Sequence, residues 1–189
     1  MARRGGPSGS RIPQDELPSL VLPVQPQDHC LGPPGARFSL VEYGDYECPH
    51  CAQVHPIVQE LRRDLEDEFS FAFRHFPRPD VHPRAVPAAE AAEAADLQAK
   101  FWLMHDRLFE HQADLSGAVV RRLARELPLD MATYERDLGS GAPARHVAAD
   151  REGGIALGVV ETPTFFVNGR MYTGPNDLDS LLEALRGRA

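Results

Sequence analysis

Apolar residues along this chain change period several times, and each change marks an element. Residues 37–43 alternate and are rich in Phe, Leu and Val, the pattern of a strand. After a short loop, Val54, Val58, Leu61 and Leu65 recur at helical spacing. Arg62, Arg63, Asp64 and Glu66 fall largely off that stripe, so a helix is predicted over residues 49–68. Pro56 lies inside it and removes a backbone donor, which predicts a kink. Phe69, Phe71 and Phe73 then alternate as a second strand ending at Pro77. Strand, helix and strand in this order predict a right-handed parallel unit.

Residues 79–154 carry no strand pattern. Residues 88–109 are Ala-rich, with Leu97, Phe101, Leu103, Met104, Leu108 and Phe109, and predict one long helix or two in series. Further helices are expected over 116–127, 130–138 and 144–157. Residues 164–167 and 170–173 flank Asn168-Gly169, a pair that accepts positive φ and so predicts a hairpin. A last helix over 176–186 has Leu178, Leu181, Leu182 and Leu185 as its buried stripe. Residues 28–35 read as a turn-rich lead-in. Residues 1–27 show no period and hold many prolines and glycines, so they read as an extended or disordered arm.

With 42% hydrophobic residues in 189, the chain is long enough to bury a core as one domain, or as one domain with an insertion. The net charge of −8 argues against a nucleic-acid partner, whose phosphates want a basic surface. No run reaches the ~18 apolar residues of a membrane span, so no membrane insertion is expected. Met1-Ala2-Arg3-Arg4 is a basic start, but Leu20-Val21-Leu22 is too short for a leader's apolar part and Pro23 ends it. The expected compartment is therefore the cytoplasm, or the periplasm where a leader has been removed.

The chemistry concentrates at Cys48-Pro49-His50-Cys51, between the first strand and its helix. A CxxC in that setting reads as a thiol–disulfide redox site, although zinc sites share the spacing. Cys48 falls at the first helical turn, where unpaired N–H groups and the helix dipole favour a thiolate. Cys51, one turn in, is expected to be buried with a more ordinary pKa. The two then differ in role: Cys48 attacks or is attacked, and Cys51 resolves the mixed disulfide. His29, His55, His75, His82 and His105 are scattered along the chain, and no second CxxC or HxxxH completes a four-ligand set, so no metal is expected. Cys30 reads as a small structural residue, and Asp45 and Glu47 as exposed charge.

Far downstream, Glu161-Thr162-Pro163-Thr164 precedes the apolar run Phe165-Phe166-Val167. Other local phrases are Val41-Glu42-Tyr43-Gly44-Asp45-Tyr46, Arg74-His75-Phe76-Pro77 and Lys100-Phe101-Trp102-Leu103-Met104-His105-Asp106. On these the chain resembles the thioredoxin superfamily, and within it the DsbA-like thiol oxidoreductases, from about residue 28 to its end. The resemblance implies an α/β thioredoxin fold with an inserted all-helical subdomain. Residues 28–78 and 155–189 would form the thioredoxin fold, and 79–154 the insertion.

The resemblance also implies disulfide exchange with protein or small-molecule thiols through Cys48 and Cys51, without a cofactor, and a redox partner that recycles the pair. Pro49 and His50 would tune the thiolate, His50 by giving Cys48 a hydrogen bond or a charge. Pro163 would be cis, with Thr162 facing the bound substrate. Glu42, six residues before Cys48, would be a buried acid that takes the proton of Cys51. The direction stays open among oxidase, reductase and isomerase. A redox-inactive chaperone or binding module, and a metal-binding CxxC protein, are the alternatives.

Overall fold

The computed structural model describes residues 24–25 and 27–187. The arm and the leader reading therefore fall almost wholly outside the described residues. Among the latter, one five-stranded sheet is built from β1 (His29–Leu31), β2 (Phe38–Gly44), β3 (Phe69–His75), β4 (Thr164–Val167) and β5 (Arg170–Met171). Its order is β1-β3-β2-β4-β5. Only β2 and β3 are parallel, and α1 (Pro49–Leu65) joins them. β1 lies antiparallel on β3, β4 on β2, and β5 on β4.

Both faces of the central strands are covered. Phe38 and Leu40 of β2, with Phe69, Phe71 and Phe73 of β3, pack with Val54, Val58 and Leu61 of α1. Val41, Tyr43 and Ala72 face the other way, against Phe76, Val159 and Phe166. Strands buried on both sides lose the in–out alternation of a half-solvated sheet. That is why Arg74 is buried too, with its guanidinium paired to Asp28 at 2.7 Å.

The helical block comprises α2 (Ala85–Asp96), α3 (Phe101–Glu110), α4 (Gly117–Glu126), α5 (Met131–Leu138) and α6 (Ala142–Ala156). Residues 88–109 thus divide into two helices, with Ala99 at positive φ between them. Seven alanines of α2 are buried, because α3, α4, α5 and α6 all pack around it. α7 (Leu178–Leu185) closes the chain against α1, with Asp177 capping its start by accepting from Ser180 N at 2.9 Å.

Two expectations change in the structure. Residues 28–35 hold a strand, β1, because three residues whose partners lie forty or more positions away leave no local pattern. α1 ends at Leu65, and Glu66–Glu68 continue as a 3-10 turn. It remains one helix through Pro56, which is exposed. The hairpin turn forms as expected, with Asn168 at φ 49° and Gly169 at φ 80°. Asn168 also ties the sheet to α7, accepting from Ser39 N at 3.0 Å and donating to Leu185 O at 2.8 Å.

Candidate active site

β2 carries the chain to the end of the sheet, and residues 45–48 turn it into α1. Cys48 is the N-cap, in extended conformation at φ −75° and ψ 119°, and Pro49 occupies the first turn. A proline there lacks only an N–H that the helix leaves unpaired, and its φ is already helical. Cys48 and Cys51 are free thiols, and both are buried.

The two sulfurs are driven apart in acidity. Cys48 is lowered to about 4 chiefly by the Cys51 thiol, which outweighs burial; Thr162 and the backbone N–H groups of Cys51 and His50 add to it. Cys51 is pushed well above the ordinary thiol range by its burial, then by Cys48 and by the charge of Glu42. His50 is exposed, and its backbone N–H is among the groups that lower Cys48. A helix N-terminus presents N–H groups whatever side chain follows.

The loop before Cys48 is tied down on three sides. Asp45, expected at the surface, is 2% exposed. Its carboxylate accepts from Glu47 N at 2.8 Å, Arg78 N at 3.0 Å and His82 Nδ1 at 2.8 Å. Its carbonyl accepts from Cys48 N at 3.1 Å. A short loop that must turn under a helix leaves backbone donors inside, and Asp45 satisfies them. From the helical block, Gln112 Nε2 donates to Tyr46 O and Cys48 O, both at 2.8 Å. The Tyr46 hydroxyl meets His105 Nδ1 at 3.0 Å. Neither Gln112 nor His82 stands out in the sequence, since both act through contacts more than thirty residues away.

The Thr162–Pro163 bond is cis. The loop it forms lies over the active site, where the Cys48 thiol donates to Thr162 O at 3.3 Å. Glu42 is 2% exposed on the β2 face shared with Leu40, and its Oε1 has no hydrogen-bond partner. Burial, and then the Cys48 charge, raise its carboxyl to about 8. Gly44 makes room beside it: a Cβ there would meet the Phe73 ring at 2.3 Å and Glu42 Oε1 at 3.0 Å.

The histidines do not stay scattered. His29 and His75 converge on Glu93, and His55 lies 3.3 Å from Asp106 beside His105. Cys30 is exposed on the edge strand β1, and burial of its thiol, with the Asp28 charge, pushes its pKa up to about 11.

A central βαβ unit flanked by antiparallel strands, a CxxC at the first helix N-terminus and a cis-proline loop opposite define a thioredoxin-type fold. The family model described as thioredoxin matches residues 24–186, and the chain belongs to that family. Its helical block is inserted between β3 and β4 of that fold. A thioredoxin-like oxidoreductase from Silicibacter pomeroyi is 30% identical, covers 90% of this chain and 96% of its own, and superposes with a TM-score of 0.77. Oxidised BdbD from Bacillus subtilis, at 24% identity, shares the fold with a TM-score of 0.76 over 85% of this chain and 92% of its own. Among curated proteins, a Na(+)/H(+) antiporter NhaA of Salinispora arenicola is 44% identical over 88% of this chain. The chain spans about a quarter, 26%, of that relative's length. No helix among the described residues is long and apolar enough to cross a membrane.

Proposed function

We propose that this protein is a thiol–disulfide oxidoreductase that works through Cys48 and Cys51 and favours the oxidising direction. The observation that carries the reading is the split between a Cys48 thiol lowered to about 4 and a buried Cys51 raised above the ordinary range. A stabilised thiolate stabilises the reduced form, which makes the corresponding disulfide a stronger oxidant.

In that direction a substrate thiolate attacks Cys48 Sγ of the Cys48–Cys51 disulfide. The S–S bond breaks, Cys51 leaves with the electron pair and takes a proton, and Glu42 is the buried acid placed to supply it. The substrate is now joined to Cys48. Its second thiolate attacks its own bridging sulfur, forms the substrate disulfide and releases Cys48. A thiolate of low pKa is a good leaving group, so this step is fast. Two electrons stay on the enzyme, and a redox partner must remove them. Thr162, whose carbonyl is 3.3 Å from Cys48 Sγ, and Pro163 would face the bound substrate, for which protein thiols are the expected class.

An oxidant of this kind works poorly against a reducing glutathione pool. Of the two compartments considered, the oxidising one outside the cytoplasm fits this chemistry better. The antiport named for the curated relatives belongs to those longer proteins; the matched quarter supports redox exchange.

Equilibrating the Cys48–Cys51 pair in glutathione buffers tests the reading. A potential well above the roughly −270 mV of thioredoxin is expected. A value at or below it would make the protein a reductase, and failure to oxidise a reduced protein substrate would remove the enzyme reading.

A further inference from the structure

Three side chains distant in sequence meet at the seam between the sheet and the helical block. His29 on β1 places Nε2 2.5 Å from Glu93 Oε1. His75, the last residue of β3, places Nε2 2.7 Å from the same oxygen. All three residues are buried: His75 is 1% exposed, Glu93 4% and His29 6%. On α6, His146 adds Nδ1 at 3.3 Å from the other oxygen of Glu93. A second layer lies behind them. His29 Nδ1 is 3.5 Å from Asp96 Oδ1, and His146 Nε2 is 3.8 Å from Asp150 Oδ1.

We propose that His29, His75 and Glu93 bind one divalent transition-metal ion of the zinc class, with His146, beside the other Glu93 oxygen, as a fourth donor. The three ligand atoms lie within 4.8 Å of one another. Imidazole nitrogen with carboxylate oxygen is a donor set that zinc accepts, at bond lengths of about 2.0–2.2 Å. Tetrahedral donors stand roughly 3.3 Å apart at such lengths, so the two nitrogens need retreat from Glu93 by under ~1 Å.

Asp96 on the far nitrogen of His29 is the second carboxylate that orients a metal-bound imidazole and fixes its tautomer. One ion would staple β1, β3, α2 and α6 together. The site shares no residue with the CxxC.

The test uses the full chain carrying Cys30→Ser, with Cys48 and Cys51 oxidised so that no thiolate competes. After dialysis against chelator, Zn²⁺ is titrated by calorimetry and Co²⁺ by visible absorption. One ion per chain is expected, with a cobalt spectrum lacking the sulfur charge-transfer band. The unfolding midpoint should rise with free ion concentration, as binding to the native state requires. His75→Ala and Glu93→Gln should abolish binding. His146→Ala, at a partly exposed position, should fold normally and weaken binding about tenfold or more. If a buried variant fails to fold, the parent stoichiometry and His146→Ala decide. No ion bound by the parent at millimolar Zn²⁺, or unchanged affinity in His146→Ala together with binding that survives Glu93→Gln, would overturn the site. The cluster would then be two imidazoles donating to one carboxylate and nothing more.

Discussion

Gln112 holds Cys48 from the far side of the structure. Its Nε2, just beyond α3, donates to the Cys48 carbonyl at 2.8 Å and equally to that of Tyr46. The helical block therefore fixes the backbone that presents the reactive sulfur, while α1 fixes its acidity. Gln112→Ala separates these roles. Losing two hydrogen bonds of roughly 1 kcal/mol each should lower stability by about 1–2 kcal/mol, read from denaturant midpoints. Disulfide exchange should slow several-fold. The Cys48 pKa, followed by thiolate absorbance, should barely move, since the N–H donors of Cys51 and His50 remain. Unchanged stability and exchange would reduce Gln112 to a bystander.

The three thiols should be distinguishable by alkylation alone. Cys48 sits at about 4 and Cys30 at about 11, while Cys51 lies well above the ordinary value and is buried. Only a thiolate reacts, so between about pH 5 and 7 one label per reduced chain is expected, on Cys48. Peptide mass spectrometry checks this. Labelling of exposed Cys30 first would show that access, not acidity, controls reactivity here.

Cys51 carries two predicted roles. Cys51→Ser should accumulate mixed disulfides on Cys48, visible as substrate adducts on non-reducing gels, because Cys51 can no longer displace the substrate in the return direction. Cys51→Ala should in addition raise the Cys48 pKa, since the Cys51 thiol is the largest cause of its depression. A Cys51→Ala protein with Cys48 still near 4 would assign the thiolate to the helix terminus alone.

What the sequence revealed follows the range of the interactions. The helix stripe from Val54 to Leu65, the Phe69–Phe73 alternation and the Asn168-Gly169 turn are local patterns, and each appears where expected. The CxxC is equally local, and its strand-to-helix setting follows from its neighbours. Asp45 reads as solvated from the sequence because its partners, Arg78 and His82, are more than thirty residues away, and an acid in a loop looks exposed without them. His29, His75 and Glu93 looked unrelated for the same reason: only the pairing of β1 on β3 and the packing of α2 bring them together. His50 is expected to tune Cys48 through its side chain, and its backbone N–H, which any residue would supply there, is also among the groups that lower Cys48.

Glu42 gives the sharpest pH test. Its folded pKa, about 8, lies above the ordinary 4.5, so its contribution is fully present below about pH 4.5 and is lost as pH rises through about 8. Cys48 works in the opposite sense: about 4 folded against 9.0 for a free thiol, it adds stability as pH rises from about 4 toward 9. Over their shared window the slopes oppose, and the reduced parent should be nearly flat in pH. Glu42→Gln removes the falling limb. The reduced variant should then gain stability with pH, at up to about 1.4 kcal/mol per pH unit, measured by chemical denaturation at a series of pH values. The same substitution should slow attack of the substrate at Cys48, the step in which Cys51 leaves and takes its proton, and leave release of the mixed disulfide nearly unchanged. A Glu42→Gln curve parallel to that of the parent, with both steps slowed alike, would leave Glu42 as an ordinary strand residue.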